Sequence, residues 1–378
     1  MSAPRFGLDV RAALRGPCGI GRYATELARA LLELPQAPGL LLYGASSSGA
    51  ATRARLPDAL LAHPRARLFA PRLPARLVAA LARVPGFRLE LLTGPLRLFH
   101  HTDLVFLKGL RAPEVVTVHD LAFDLSRDFH DAGFHSTVRA RMETAIARAR
   151  AVIVPSGTTR DDLVARWGVE PSKLHVIPHG CDHAVRVPRG DRRDPRPDRE
   201  RGFLLHVGTL EPRKNLPRLL RAYRSARGRG LDLDLVLVGP WGWRTAELRA
   251  ELARCGGATP VLVRGAVDEA ELRAWVEDAR ALVYPSLYEG FGLPVVEAFA
   301  LGVPVVTSSR GATREIAADA ARLVDPESEG EIADALLEIG ADAPRRAELA
   351  ARGRRRAARF TWESAARATL SLYERVTA

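Results

Sequence analysis

The sequence predicts an α/β protein of two doubly wound domains, each a parallel sheet with helices on both faces. Three observations carry this. Short apolar runs rich in Val, Leu and Ile alternate with amphipathic stretches along most of the 378 residues, which is the pattern of βαβ units. The alternation breaks at Arg186–Arg201, where RVPRGDRRDPRPDRER has charges, prolines and a glycine but no apolar period, and it then restarts. The length suits two or three domains at ~100–200 residues each. The expected organisation is therefore an N-terminal domain over 1–185, a linker over 186–201, a C-terminal domain over 202–359 and a terminal helical segment over 360–378.

The elements follow in order. Buried strands are expected at Phe6–Val10, Leu40–Tyr43, Val115–Val118, Ala151–Val154 and Leu174–Ile177, with helices at Gly21–Glu33 and Thr137–Arg150. Beyond the linker, strands are expected at Phe203–Val207, Leu233–Val238, Val261–Val263, Ala281–Tyr284, Pro304–Thr307 and Ala321–Val324. Helices there are expected at Leu216–Arg227, Thr245–Ala253, Glu269–Asp278, Pro294–Leu301, Glu329–Ile339 and Pro344–Arg359. The last helix, Trp362–Val376, has an apolar face of Ala365, Ala366, Thr369, Leu370 and Tyr373. Ligands of open α/β sheets bind beyond the carboxyl ends of the strands, so two such domains facing a cleft would place chemistry there.

Composition narrows the function classes. At 47% apolar and 26% charged residues the chain is neither disordered nor fibrous. Cys18, Cys181 and Cys255 are too few and too scattered for a disulfide framework, and no apolar run approaches the ~20 residues of a membrane span, so a cytoplasmic protein is expected. Residues 1–190 carry 26 basic and 16 acidic side chains, against 30 and 28 in the remainder, which suggests an anionic partner for the first half. No nucleic-acid-binding motif accompanies that charge, and none is expected to bind. Residues 59–97 interleave seven arginines with leucines, and Pro74–Val84 reads as a short basic amphipathic helix. It is a candidate for reversible contact with an anionic membrane, against the plainer reading of a helix packed on the N-terminal sheet.

Several loops carry chemistry. After the first strand, glycines 16, 19 and 21 precede a helix whose N-terminal amides suit an anion. The spacing around Gly19 and Gly21 is too long for a dinucleotide fingerprint. His119 and Asp120 end a buried strand. Arg213 and Lys214, in GTLEPRKN, sit beyond the second domain's first strand, where two cations suit a diphosphate. Glu289 opens a glycine-rich loop, EGFGLPVVEA, in which Gly290 and Gly292 allow close backbone approach. Pro294 fits a first helical turn, and Glu297 lies about one turn further on. Carboxylates suit vicinal hydroxyls, as on a sugar or ribose. His179-Gly180-Cys181-Asp182-His183 has a metal-like look but sits on a loop with no matching pair elsewhere, and Asp232-Leu233-Asp234 reads as a strand-entry turn. No metal site and no cofactor are expected.

With these residues in place, the chain resembles the retaining glycosyltransferases of family 4, which have the two-domain GT-B fold. The E-x7-E element from Glu289 to Glu297 carries the resemblance most specifically, followed by GTLEPRKN, GIGRY at Gly19–Tyr23, VTVHD at Val116–Asp120 and WESAARATLSLYERV. The resemblance implies that Arg213 and Lys214 bind the donor's diphosphate and Glu297 the ribose hydroxyls. It implies that Glu289 with the amides of Gly290, Phe291, Gly292 and Leu293 holds the transferred sugar, and that His119 contacts it. It implies that the loop of Gly19 and Gly21 borders the diphosphate and acceptor, that no metal is needed, and that the last helix crosses back onto the N-terminal domain. The chain departs from the family at Pro178-His179-Gly180 and at Ser156-Gly157-Thr158, both on the acceptor side.

The look is nearest to bacterial mannosyltransferases that use GDP-mannose, on VTVHDLAF and VGPWGWRTAEL. The expected function is transfer of a sugar, mannose from GDP-mannose favoured, to a hydroxyl of a glycan or glycolipid with retention and without metal. The alternatives are a sugar-nucleotide epimerase of the same architecture and a basic protein that binds polyanions or membranes without catalysis.

Overall fold

The computed structural model describes residues 5–14, 18–36, 38–44, 56–71, 84, 87–103, 109–125, 132–192, 202–256 and 260–378. The chain divides into two units: residues 1–121, 132–180 and 362–378 form one, and residues 122–131 and 181–361 the other. Residues 181–185, expected with the N-terminal domain, thus fall in the second unit.

The first unit is built on β1 (Arg5–Asp9), β2 (Leu40–Tyr43), β3 (Ala66–Phe69), β4 (Leu96–His101), β5 (Glu114–Thr117), β6 (Ala151–Val154) and β7 (Leu174–Val176), all parallel, in the order β3-β2-β1-β4-β5-β6-β7. Its longer helices are α1 (Gly19–Glu33), α2 (Ala132–Arg148) and α3 (Gly157–Trp167). Strand order reverses between β1 and β4, the switch point of a doubly wound sheet. α1 buries Tyr23, Ala24, Leu27, Ala28, Leu31 and Leu32, a 3.6-residue stripe on the core side. Two strands and one of the longer helices here were not expected. β3 is a partly exposed edge strand carrying Arg67. β4 is central yet ends in His100 and His101, which broke its apolar run. Ser156-Gly157-Thr158, where the chain departs from the family pattern, is the start of α3. Ser156 Oγ accepts from the Thr159 amide at 3.1 Å as a cap, and Gly168 ends the helix in the left-handed conformation.

The second unit is built on β8 (Phe203–Val207), β9 (Asp234–Val238), β10 (Val261–Gly265), β11 (Ala281–Tyr284), β12 (Val305–Ser308) and β13 (Arg322–Val324), all parallel, in the order β10-β9-β8-β11-β12-β13. Its longer helices are α4 (Leu216–Gly228), α5 (Ala246–Ala253), α6 (Glu269–Asp278), α7 (Leu293–Ala300), α8 (Gly311–Ala317), α9 (Glu329–Ala341) and α10 (Ala343–Ala357). Two apolar layers cover the sheet. One joins Leu219, Leu220 and Tyr223 of α4 to Leu235, Leu336 and Ile339. The other joins Trp275, Val295, Val296 and Phe299 to Leu205, Val236 and Leu282. The strands are therefore apolar on both faces, as parallel strands must be. Switch-point logic here places ligands at the loops after β8 and β11.

The chain ends in α11 (Trp362–Thr377), which belongs to the first unit. The expected face is the one buried: Ala365, Ala366, Thr369, Leu370 and Tyr373, with Trp362. The Tyr373 ring meets Phe6 edge-on at 4.9 Å, and its hydroxyl lies 2.6 Å from His100 Nδ1. His100 Nε2 is 2.7 Å from Thr117 Oγ1, which is 2.9 Å from the Tyr23 hydroxyl. A buried polar chain thus ties α11 to α1 through the sheet, and the histidine that hid β4 is the link.

The expected linker is a correction in part. Residues 193–201 lie outside the described residues, but 186–192 pack on the second unit. Arg189 pairs with Glu277 at 3.0 Å and Asp278 at 2.6 Å. Arg192 lays its guanidinium over Trp275 at 4.8 Å and Phe203 at 5.3 Å. An Arg-rich run reads as solvated, yet its stems and planar heads can cover aromatic rings. Gly16 and most of the stretch Pro74–Val84, with Arg72, Arg76 and Arg83, lie outside the described residues. Among the described residues no helix is long and apolar enough to cross a membrane.

Candidate active site

The second unit brings together the residues that the loops after β8 and β11 offered separately. Beyond β8 the chain turns through Gly208–Glu211 into a 3-10 turn, Pro212–Lys214. Asn215 then adopts φ 60°, a left-handed conformation that asparagine tolerates better than most residues. Its Nδ2 donates to Pro285 O at 3.1 Å and Pro326 O at 2.6 Å, which clamps this turn to the loops after β11 and β13. The Leu287 amide donates to Arg213 O at 2.9 Å and completes the clamp. Sequence reasoning missed Asn215. The signal available was an Asn at the junction of a turn and a helix start.

At the clamped junction Glu289 is buried between two cations. Its Oε2 accepts from Arg213 Nη1 at 2.5 Å and its Oε1 from Lys214 Nζ at 2.6 Å. Lys214 Nζ also donates to the Tyr284 hydroxyl at 2.5 Å and lies over that ring. Arg213 reaches Glu211 Oε1 at 2.7 Å and Tyr288 O at 3.0 Å. Burial would raise the Glu289 carboxyl, but Arg213 and then Lys214 outweigh it and hold it at about 2. Burial, and then Arg213, lower the Lys214 ammonium from its ordinary value. At 2.6 Å from an ionised carboxylate the lysine stays charged. Two carboxylates and two cations sum to zero here, so a bound dianion has cations within reach only if they loosen from Glu289 and Glu211.

The E-x7-E loop continues from Glu289. Gly292 takes φ 101° and caps α7, a conformation strained for any residue with a Cβ. Pro294 lies in the first turn as the sequence predicts, and Phe291 is buried edge-on to Phe360. Glu297 is buried on the next turn, where Oε1 accepts from His183 Nε2 at 2.9 Å. His183, set aside in sequence as part of a metal-like run, is a partner of Glu297. Among the described residues no three His, Cys, Asp or Glu side chains converge as a metal-binding group. Asp232 pairs with Arg227, and Asp234 opens β9 at its amino end, away from these loops.

The first unit places His119 just beyond β5. Its Nε2 lies 2.9 Å from Thr102 O. A carbonyl only accepts, so Nε2 carries the hydrogen and Nδ1 presents a lone pair. Burial lowers its pKa and favours the neutral ring. The Tyr23 ring meets His119 edge-on at 4.9 Å, and Tyr23 also packs on His179. Gly19 opens α1, while Gly21 is buried against the backbone of Ala12 and Ala13, where a Cβ would lie 2.9 Å from Ala13 Cα. Close packing alone accounts for that glycine. The Gly21 amide already donates to Cys18 Sγ at 3.3 Å.

Two family models match the chain in succession: glycosyltransferase family 4 over residues 17–185 and glycosyl transferases group 1 over residues 189–356. The chain belongs to the family 4 glycosyltransferases. This glycosyltransferase is 27% identical over 366 residues to O-antigen chain mannosyltransferase B of Escherichia coli, covering 94% of this chain and 96% of that protein. It is 34% identical over 245 residues to the MMP α-(1→4)-mannosyltransferase of Mycolicibacterium hassiacum, but that match spans 63% of this chain and only 57% of that protein. Among solved structures, sucrose-phosphate synthase of Thermosynechococcus elongatus superposes with a TM-score of 0.75 at 21% identity, covering 99% of both chains. HepE of Anabaena, in complex with UDP and glucose, superposes at 0.72 with 18% identity over 99% of this chain and 100% of that one. These likenesses show the fold, the GT-B arrangement of two parallel-sheet Rossmann-like units expected for a family 4 glycosyltransferase.

Buried neutral histidines give the enzyme an acid limit. Burial holds His100 at about 3 and His206 at about 4, against an ordinary 6.5. An unfolded chain takes up these protons near 6.5 and the folded one does not, so stability is full above that value and falls as pH drops toward 4 and 3. At pH 5.5 each group costs about 1.4 kcal/mol. Urea denaturation should therefore show a clearly lower midpoint at pH 5.5 than at pH 7.5. His100→Asn should have a shallower slope between them, and an unchanged midpoint in the native protein would refute this account.

Proposed function

We propose that this glycosyltransferase moves a sugar, mannose from GDP-mannose favoured, from a nucleotide donor to a hydroxyl of a glycan or glycolipid, with retention at the anomeric carbon and without a metal ion. The observation that carries the reading is the pair Arg213–Lys214, clamped at the switch point and already closed on an anionic group, Glu289. Two relatives named mannosyltransferases support the choice of sugar. In this reading the donor diphosphate takes the cations. Glu297 binds the ribose hydroxyls. Glu289 and the backbone of Gly290–Leu293 hold the transferred sugar, and His119 contacts it through the Nδ1 lone pair.

Retention through a covalent sugar–enzyme intermediate needs a carboxylate free to attack. Glu289 is the one carboxylate this reading places at the transferred sugar, and its part there is to hold the sugar's hydroxyls rather than to attack the anomeric carbon. The reading therefore takes a front-face displacement. The acceptor oxygen bonds to the anomeric carbon on the side from which the diphosphate leaves, and its proton passes to the departing phosphate oxygen. Arg213 and Lys214 offset the charge that develops there.

A panel of GDP-, UDP-, ADP- and dTDP-sugars tested for thermal stabilisation addresses the donor, because a ligand that binds only the folded state raises the midpoint. GDP-mannose should give the largest rise, and a larger rise with a UDP-sugar would replace the donor assignment. Turnover should persist in excess EDTA. Loss of turnover in chelator, restored by Mn²⁺ or Mg²⁺, would overturn the metal-free reading.

A further inference from the structure

The run His179–His183, which in sequence invites a metal reading, leads into a different device. Cys181 opens the longer segment of the second unit, and its amide donates to Phe360 O at 2.9 Å. The Cys181 thiol, also directed at Phe360 O, is 3.3 Å away. A few residues on, Arg273 Nη1 donates to Val185 O at 2.9 Å and Val187 O at 2.5 Å. The short helix His183–Arg186 is thus pinned at both ends. Its first side chain points into the unit. His183 is 4% exposed and its Nε2 lies 2.9 Å from Oε1 of Glu297, itself 7% exposed. Since a carboxylate accepts, the imidazole Nε2 carries the shared hydrogen.

We propose that His183 is a positioning residue for the donor's ribose: by holding one oxygen of Glu297 from a pinned backbone, it sets the carboxylate plane that the ribose diol meets. This rests on the assignment of Glu297 to the ribose. The physical reason is rotational. The terminal torsion of a glutamate is broad, so an unsupported carboxylate meets a vicinal diol in many orientations. A fixed N–H donor removes that freedom before the ligand arrives, and functional groups held by such supporting bonds bind with sharper geometry. Bonds to two adjacent hydroxyls depend on that plane. Contacts to the base or the diphosphate do not.

The readout is therefore the preference for ribose over 2′-deoxyribose, measured as the ratio of dissociation constants for GDP and 2′-deoxy-GDP, and for UDP and 2′-deoxy-UDP. The native enzyme should favour the ribonucleotide by at least tenfold. His183→Phe, which keeps the ring volume and loses the N–H, should bring the ratio near one, mostly by weakening the ribonucleotide. His183→Gln, which can still donate to Glu297, should keep most of the preference. If His183→Phe does not fold, His183→Leu serves the same comparison. A variant that weakens both nucleotides equally and keeps the ratio overturns the proposal, since that is what a purely structural role predicts. Glu297→Gln separates the two readings. If it loses the preference while His183→Phe keeps it, only the role of His183 fails. If it keeps the preference, or if the native enzyme has none, the ribose assignment fails and the proposal with it.

Discussion

Lys214→Ala is expected to lower turnover at least a hundredfold while the chain stays folded. The lysine ends a pinned turn and has one short bond to Glu289 and one to Tyr284. Removing it leaves Glu289 paired with Arg213 at 2.5 Å, so no buried carboxylate is stranded. What is lost, on the proposed reading, is a cation at the leaving diphosphate, worth on the order of 2–4 kcal/mol in the transition state. Arg213→Ala should act in the same direction, and the double variant should fall well short of the product of the two, because both cations serve one group. Steady-state kinetics with the donor varied through saturation decides the point. The fall should appear in kcat as well as in kcat/KM, since the charge it stabilises is larger in the transition state than in the bound donor. Native turnover from the double variant would remove the diphosphate assignment altogether.

Much of this site was legible because its chemistry is local. Arg213 and Lys214 are adjacent, and Glu289 and Glu297 lie within one loop and helix start. Turn and cap rules place Pro294 correctly with no tertiary information. What escaped depends on contacts between distant residues. The sequence offers Glu289 as a sugar ligand, but not that it closes on Arg213 and Lys214, 76 and 75 residues away. His183 looks like half of a metal site until Glu297, 114 residues on, is seen beside it. β4 was hidden for the same reason. His100 counts as polar along the chain, and it takes Tyr373, 273 residues away, together with Thr117 to satisfy its two ring nitrogens in the core. Patterns of apolar residues report what a strand faces on average, and a satisfied polar group in the core is the case they misread.

Glu289→Ala is expected to abolish turnover, to lower stability, and yet to keep or strengthen binding of a nucleoside diphosphate. The carboxylate is 8% exposed and accepts from both cations. Deleting it leaves Arg213 with Glu211 at 2.7 Å but leaves the Lys214 ammonium buried beside a neutral Tyr284. Tyr284 cannot compensate, because burial holds its hydroxyl well above its ordinary value and so protonated. Breaking a buried pair in this way costs roughly 3–5 kcal/mol. The same arithmetic favours an incoming anion. On the proposed reading, a diphosphate in the native enzyme must compete with Glu289 for the two cations, whereas in the variant it meets Lys214 unpaired. The thermal midpoint of Glu289→Ala should therefore start below the native value and rise further on adding GDP or UDP than the native midpoint does. Its dissociation constant for the nucleotide should be equal or lower. Turnover should still fall by at least a hundredfold, because the group proposed to hold the transferred sugar is gone. Glu289→Gln, which keeps the shape without the charge, should show the same enhanced nucleotide response with a smaller loss of stability. If either variant instead loses nucleotide binding, Glu289 supports the diphosphate site rather than competing for it, and the division of labour argued for this cluster is wrong.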